Sequence, residues 1–447
     1  MRADELTLPQ YRKLDELELL DVESIRLVLR GGSVIDWQRL AFEGEEEVRE
    51  FLVAHEMDPA DPASRARAEA IKNQAIAYLR RNFEFPVPKP VAEADVSELL
   101  LIASGRGHRQ LCACTILKVI HVIHHLEARE LLSMLPVSDQ DVFHLVEQKV
   151  YRVIGGMLAR GLPILEFVGG RKNKDSLYTK LLSKKETHAA QIYDKLRFRI
   201  VVRSAEDIFP TIGYLTRHLF PFNYVVPGES TNTMFDLPAY LRGHSRLATL
   251  APRLQPLADG AAAGGANDNV FSAPSYRVVH FVVDMPVKLP AELLESAPPA
   301  AWALGQVVFA QAEFQVVDRE TEQRNELGDA SHEAYKARQK EAVMRRIKVG
   351  NLAPVAPVSA SDGSGSRKLP ALRASKSSPP RTPTSKPTRA EPKKGGKPHP
   401  GGAAAVKVAK GLTNKSVHNA VPYEPAVRSG PLPKVSAKLR RNLRPKR

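Results

Sequence analysis

The chain has 447 residues, with 65 Lys and Arg against 50 Asp and Glu, and only two cysteines, Cys112 and Cys114. Two cysteines separated by one residue cannot form the disulfide framework of a small secreted scaffold, which favours a reducing compartment. The sequence has no uninterrupted apolar run of about 20 residues, and its N-terminus is acidic where a signal peptide would be basic. We therefore expect a soluble, cytoplasmic protein of about two or three domains that makes no membrane contact.

The positive charge is concentrated at the C-terminal end. Residues 351–447 contain 21 Lys and Arg but three acidic residues, whereas the first 350 residues contain 44 basic and 47 acidic residues. The same C-terminal stretch has 15 of the 34 prolines and a single aromatic residue, Tyr423. Such a composition cannot bury enough apolar surface to offset the entropy of ordering, so it predicts a disordered tail. Its dispersed basic residues would suit nonspecific contact with RNA, the ribosome or another polyanion, or a solubilising or linker role.

The N-terminal part of the chain is predicted to be helical. Apolar residues recur at helical spacing over residues 17–157, and we therefore predict a helical N-terminal region over 1–160. The individual helices are predicted at the ranges 45–53, 63–82, 109–134 and 138–160.

The periodicity then changes to that of strands. Partly alternating, β-branched runs predict strands over 196–202, 277–284 and 306–317, with a helix over 205–218 between the first two. A Gly, Ala and Pro-rich stretch over 251–275 is typical of a surface insertion. We therefore predict an α+β domain over 165–348, with an insertion at about 222–275.

Two local signals are ambiguous. Six His and Cys residues between His108 and His125 could suggest a metal site, but their spacing matches no known zinc pattern, and a plain amphipathic helix is the preferred interpretation. The cluster at 169–174, Gly-Gly-Arg-Lys-Asn-Lys, could bind phosphate or could be a solvated basic loop.

Four groups of polar residues and a closing segment at 332–336 follow one another in the predicted α+β domain. A basic segment comes first, then an aspartate before a strand with an arginine five residues later, then two strands with aromatic, His, Glu and Gln side chains. In chain order the residues are Arg171, Lys172, Lys174 and Lys180; Asp194 and Arg199; Tyr276, Arg277 and His280; Glu313 and Gln315; and the segment His-Glu-Ala-Tyr-Lys at 332–336. This order resembles the synthetase domain of the RelA/SpoT family, enzymes that make the alarmones ppGpp and pppGpp.

The resemblance implies a nucleotidyltransferase-like mixed sheet flanked by helices, with ATP and a guanine nucleotide as substrates. It implies that Asp194 binds Mg²⁺ and that Glu313 binds metal or takes the hydroxyl proton. Tyr276 would stack on guanine, and His280 would contact phosphate or ribose. The other residues implied to bind nucleotide or phosphate are Arg171, Lys172, Lys174, Lys180, Arg199, Arg277 and Gln315.

The sequence also departs from the family pattern. Ser275 replaces a glycine, Val278 replaces a serine, and Val317 stands where the resemblance expects an arginine. Replacement cations could come from Arg242, His244, Arg246 or Arg253. No His-Asp dipeptide occurs, so we expect no hydrolase domain. Two functions stay open. The first is a divergent pyrophosphokinase acting on a guanine nucleotide or an RNA 3′ end, and it requires Asp194 and Glu313 to converge. The second is a non-catalytic protein that senses a nucleotide or binds nucleic acid or the ribosome, and it does not require the two carboxylates to converge. The oligomeric state is left open.

Overall fold

The computed structural model describes residues 11–31, 37–183, 193–254 and 271–347. The predicted tail at 351–447 and residues 255–270 of the predicted insertion at about 222–275 lie outside the described residues. The described residues all belong to one compact unit. The domain boundaries at 160, 165 and 348 stay predictions.

Within the described part, seven α-helices precede the first strand, which confirms the predicted helical N-terminal region, although the apolar spacing predicts ranges for only four of these helices. Asp61 begins the third helix by accepting a hydrogen bond from the backbone N–H of Ala63, and Ser138 begins the seventh by accepting one from Asp141. Such caps satisfy N–H groups that have no partner inside the helix. The helices are α1 Leu19–Arg30, α2 Glu45–Ala54, α3 Pro62–Phe83, α4 Lys89–Glu93, α5 Val96–Ser104, α6 His108–Met134 and α7 Asp139–Ala159.

A mixed five-stranded sheet follows, in the order β1-β2-β5-β4-β3. The pair β2 and β5 is parallel, and the other neighbours are antiparallel. The predicted α+β class, with a mixed sheet flanked by helices behind a helical N-terminal region, is therefore confirmed. The remaining elements are β1 Ile164–Arg171, α8 Lys174–Ser183, β2 Leu196–Val202, α9 Ile208–His218, β3 Thr231–Asn232, α10 Leu237–Gly243, α11 Ser245–Leu250, β4 Val279–Lys288, α12 Ala291–Glu295, α13 Pro299–Trp302, β5 Val307–Asp318, α14 Arg319–Asn325 and α15 His332–Ile347.

The two faces of the sheet differ in polarity. Phe198, Phe281 and Phe314 lie on one face and are fully buried, with ring centroids 5.3 Å apart for Phe198 and Phe314 and 5.6 Å apart for Phe281 and Phe314. Alternate residues of a strand point to opposite faces. The residues between these phenylalanines therefore form a second surface, which we call the polar face; it includes Arg197, Arg199, His280, Glu313 and Gln315.

A second hydrophobic core lies within the N-terminal helices. It includes buried Leu52 of α2, Ile76 of α3, Leu99 of α5 and Ile116 of α6. By length and composition α6 could cross a membrane, although buried helices of soluble proteins meet the same criteria. The inner side of α6 is packed against α3 and α5.

Candidate active site

Asp194 lies between two lysines in the turn that precedes β2. The Nζ atom of Lys180 donates a hydrogen bond to Asp194 Oδ1 at 2.8 Å, and Lys172 donates to Oδ2. The carboxylate is 13% exposed. Burial by itself raises the pKa of Asp194, but the two lysines outweigh burial and lower it to about 2. Asp194 is therefore ionised at neutral pH.

The backbone explains how the two lysines reach this carboxylate. Lys172 follows β1 directly, and its N–H donates to the carbonyl of Lys195 at 2.9 Å, which extends the β1–β2 ladder to the residue next to Asp194. Asn173 then caps α8 by accepting from the N–H of Ser176 at 2.8 Å. Lys180 lies almost two turns further along α8. Its ammonium group therefore contacts the same carboxylate of Asp194.

Glu313 is the second carboxylate, and it is buried in the middle of β5 on the polar face. Its Oε1 accepts a hydrogen bond from Gln315 Nε2 at 2.5 Å and lies 3.4 Å from His280 Nε2 on β4. Burial raises the pKa of Glu313, but the hydrogen bond and charge of His280 lower it below the usual value, aided by Arg197. The buried carboxyl group is held in its ionised form.

Asp194 and Glu313 belong to one electrostatic cluster. The negative charge of Asp194 acts to raise the pKa of Glu313. Burial lowers the pKa of Lys172, and both carboxylates act to raise it. Within this cluster the predicted site residues form two bonded groups, Lys172 and Lys180 around Asp194, and His280 and Gln315 around Glu313. The two groups act on each other through their charges and share no ion pair among the described residues.

Arg199 lies on the polar face opposite Gln315, which is two residues beyond Glu313 on β5. Its guanidinium forms an ion pair with Glu322 of α14. Asp318 ends β5 and begins α14 by accepting hydrogen bonds from the N–H groups of Glu320 and Thr321, both at 3.0 Å. Because α14 begins directly at the end of β5, its residue Glu322 lies close to Arg199 of β2. Arg199 is therefore already paired with an acidic residue.

Tyr276 is held next to these charges. Burial raises the pKa of its hydroxyl, with the charges of Arg199, Glu322 and Glu313 also acting on it. Buried Asn325 fixes the segment before β4, because its side chain accepts from the N–H of Arg277 at 3.0 Å and donates to the Arg277 carbonyl at 2.7 Å. An aromatic ring is thereby placed at the border of the polar face.

Three predicted residues do not join the cluster. Arg171 forms a bidentate ion pair with Glu147 of α7, with N–O distances of 2.8 and 2.5 Å. The Arg171 side chain points to the apolar face because its register partner is Leu196. Lys174 is exposed at the start of α8, and the guanidinium of Arg277 donates to the carbonyls of Pro274 and Tyr276.

The departures from the family pattern have structural consequences. Val317, which stands where an arginine was expected, is fully buried opposite Val201. Of the proposed replacement cations, Arg253 pairs with Glu43 and His244 packs on Tyr240. Within the described part of the chain, neither these residues nor Arg242 or Arg246 contacts the carboxylate cluster.

Sequence reasoning missed Arg197, Glu322 and Asn325. Arg197 and Arg199 alternate with apolar residues on β2, and this signal could have placed both on one face. Glu322 and Asn325 carried no comparable signal, because their roles depend on where α14 lies relative to β2 and β4.

The His and Cys residues of α6 have separate partners. Cys112 lies 3.5 Å from His108 Nε2, Cys114 accepts from Gln110, and His124 Nδ1 is hydrogen bonded to Tyr224 Oη at 2.7 Å. Among the described residues, no group of three or more His, Cys, Asp or Glu is arranged to hold a metal ion.

Solved structures of alarmone synthetases resemble this chain at low identity. Small alarmone synthetase 2 from Bacillus subtilis is 16% identical over 49% of this chain and 97% of its own, with a TM-score of 0.25. Small alarmone synthetase 1 from the same organism, bound to its product pppGpp, is 14% identical over 47% of this chain and 88% of its own, with a TM-score of 0.27. A GTP pyrophosphokinase family protein from Streptococcus pneumoniae is 14% identical over 50% of this chain and 88% of its own, with a TM-score of 0.25.

No protein-family model matches the sequence, and no curated protein matches it either. Superpositions with TM-scores this low do not establish a shared function.

Proposed function

We propose that this protein is a nucleotide pyrophosphokinase that transfers the pyrophosphoryl group of ATP to the 3′-hydroxyl of a guanine nucleotide or of an RNA 3′ end. The observation that carries the proposal is the pair of carboxylates with polar partners, Asp194 held by Lys172 and Lys180, and buried Glu313 held by His280 and Gln315. The order of the basic segment, the carboxylates and Tyr276 along the sequence supports the same reaction. ATP and guanine nucleotides are cytoplasmic metabolites, in keeping with the proposed cytoplasmic location.

The reaction assigns a role to each group. The 3′-oxygen of the acceptor attacks the β-phosphorus of ATP, the bond from that phosphorus to the oxygen bridging the α-phosphate breaks, and AMP leaves. Glu313 is ionised before the reaction and would become protonated when it accepts the proton of the attacking hydroxyl. Lys172 and Lys180 can orient the triphosphate and stabilise the charge that develops during transfer.

The two carboxylates also fit a magnesium ion. Mg²⁺ prefers oxygen ligands and is usually bound by one or two carboxylates together with substrate phosphates. Asp194 and Glu313 would hold it, and when bound the ion would neutralise charge on the triphosphate. Lys172 and Lys180 would then release Asp194 and bind the phosphates of ATP.

The proposed function is tested by incubating the protein with Mg²⁺ and ATP labelled at the γ-phosphate, together with GDP, GTP or total tRNA in turn. We expect label to move to one of these acceptors and AMP to appear in equal amount. Glu313→Gln should lower the rate at least about 100-fold, the usual size of a general-base contribution. The matched control Glu295→Gln removes an exposed carboxylate of α12 and should keep full activity.

One observation favours a non-catalytic alternative, in which the fold senses a nucleotide or docks on nucleic acid or the ribosome. Arg199 and Asp194 are both already neutralised, by Glu322 and by the two lysines. Nucleotide binding without label transfer to any acceptor would support this alternative and reject the pyrophosphokinase.

A further inference from the structure

Three residues lie in one row across the sheet. Gly170 of β1 is the register partner of Arg197 on β2, and Arg197 is the register partner of Glu313 on β5. Directly opposite residues on neighbouring strands present their side chains on the same face. Arg197 therefore stands between a glycine of the edge strand and the buried carboxylate of the site.

The guanidinium of Arg197 differs from the other cations of the site. Lys172 and Lys180 pair with Asp194, and Arg199 pairs with Glu322. Arg197 is exposed and has no hydrogen bond or ion pair with any residue that the structure describes. The charge of Arg197 acts on Glu313, but its donors are not taken up by an ion pair. An exposed arginine held in this way by a strand is available to bind an anion through its planar set of donors.

The two adjacent glycines of β1 have different surroundings. A Cβ atom at Gly169 would lie 3.0 Å from the Tyr151 hydroxyl and 3.2 Å from the Phe198 ring, so packing on the apolar face explains this glycine. A Cβ atom at Gly170 would meet nothing within 4 Å, and its φ is not in the left-handed region. A glycine inside a strand often marks a place where a ligand approaches the backbone closely.

We infer that Arg197 and the open surface at Gly170 form an anion subsite that takes a phosphate group of the nucleoside triphosphate. Gly170 comes two residues before Lys172 on the same chain segment, so a phosphate chain bound by Lys172 can extend over Gly170 to Arg197. The identity of the ligand as ATP rests on the proposed function. The location of the subsite rests on the register and the open space.

The first test compares wild type with Arg197→Gln for binding of inorganic tripolyphosphate and of Mg²⁺-ATP by isothermal titration calorimetry. Loss of one charge-assisted hydrogen-bonding group should weaken both ligands roughly 10-fold or more. Arg197→Lys should restore part of the affinity. Arg203→Gln, which removes an exposed arginine just beyond the other end of β2, should bind like wild type. Equal affinity of wild type and Arg197→Gln for both ligands would overturn the inference.

The second test fills the open surface. Gly170→Val should weaken tripolyphosphate binding to a similar degree while leaving the melting temperature close to that of wild type. Gly169→Val should lower the melting temperature, since its side chain would collide with Tyr151 and Phe198. Wild-type binding by a folded Gly170→Val variant would show that the anion does not lie over β1.

The subsite and the proposed reaction fail in different ways. Tripolyphosphate binding that depends on Arg197, without label transfer to any acceptor, rejects the pyrophosphokinase and keeps the subsite. Label transfer and ligand binding that are both unaffected by Arg197→Gln keep the reaction and reject the subsite.

Discussion

At the scale of single residues, Asp194 illustrates how the site is held before any ligand binds. The carboxylate is mostly buried, which disfavours its charge, yet two ammonium groups more than compensate. Removing it would leave Lys172 and Lys180 close together without an acid between them. Breaking a buried charge pair by removing one partner is generally costly, because the remaining charge loses its compensation.

We therefore predict that Asp194→Asn lowers the free energy of unfolding at pH 7 by about 1 to 3 kcal/mol. The folded pKa of Asp194, about 2, lies below its ordinary value. The stabilisation is thus complete above about pH 5 and is lost as the pH falls from about 4 towards 2. Urea denaturation of wild type and Asp194→Asn at pH 7, 4 and 3 measures the free energy of unfolding. The difference between the two proteins should become smaller as the pH falls.

Double-mutant analysis with Lys180→Gln provides the control. If the two side chains stabilise each other, the free energy of unfolding of the double variant should fall by less than the sum of the decreases in the two single variants. A difference between wild type and Asp194→Asn that stays constant from pH 7 to pH 3 would contradict the predicted role of the charge.

At the scale of elements, the contact between α6 and the sheet contains an unusual number of histidines. His121 accepts a hydrogen bond from Asn223, His124 bonds Tyr224, and His55 at the end of α2 donates to the carbonyl of Phe51. His125 of α6 lies 3.2 Å from Asp284 of β4. This contact joins the N-terminal helices to the sheet.

Burial keeps three of these histidines neutral. It lowers the pKa of His55 to about 4 and that of His121 to about 3, and it lowers the pKa of His124 well below its ordinary value. The neighbouring positive charge of Lys149 adds to the effect at His55, whereas Asp284 opposes it at His121. The unfolded chain binds protons at these positions near pH 6.5, and the folded chain does not.

We predict that the protein loses stability as the pH falls from about 6.5 to 4.5. Each buried neutral histidine contributes a slope of up to about 1.4 kcal/mol per pH unit in this range. The free energy of unfolding, measured with urea at half-unit pH intervals, should fall more slowly in His121→Gln than in wild type. The exposed His144 of α7 offers a matched control, and His144→Gln should keep the wild-type slope. An unchanged slope in His121→Gln would show that His121 does not stay neutral in the folded state.

At the scale of the whole molecule, the charge is divided between two parts of the chain. Residues 351–447 carry an excess of 18 positive charges, and the first 350 residues have three more acidic than basic residues. Contacts between dispersed Lys or Arg side chains and phosphates gain free energy from counterion release and weaken steeply with salt. The polyanion contact, if RNA or the ribosome is the partner, should therefore belong to the C-terminal part.

Deleting 351–447 should leave the remaining chain folded while lowering its affinity for RNA at least about 10-fold at 50 mM salt. Fluorescence anisotropy with a labelled single-stranded RNA at several salt concentrations measures both the affinity and its salt dependence. We expect the truncated protein to show a much weaker salt dependence. Equal RNA binding by the two proteins would place the contact elsewhere in the chain.

Much of the fold could be predicted from local sequence patterns. Helical spacing identified α2, α3, α6 and α7, and alternating β-branched residues identified three of the strands. The edge strand β1 was missed, since Ile-Leu-Glu-Phe-Val-Gly-Gly-Arg ends in two glycines and a basic cluster that are typical of a loop. Its strand conformation depends on antiparallel pairing with β2, which is a property of the folded sheet.

The candidate site divides in the same way. The sequence by itself determined which residue types are present and their order, and this was enough to group Lys172, Lys180, Asp194 and Glu313. Only the tertiary structure decided which charges meet: Arg171 pairs with Glu147, Arg199 pairs with Glu322, and Arg197 lies opposite Glu313 without forming an ion pair. The reason is that local patterns reflect the period of a helix or strand. The partners of a side chain depend instead on the register between β2 and β5, which are parallel strands more than 100 residues apart in the chain.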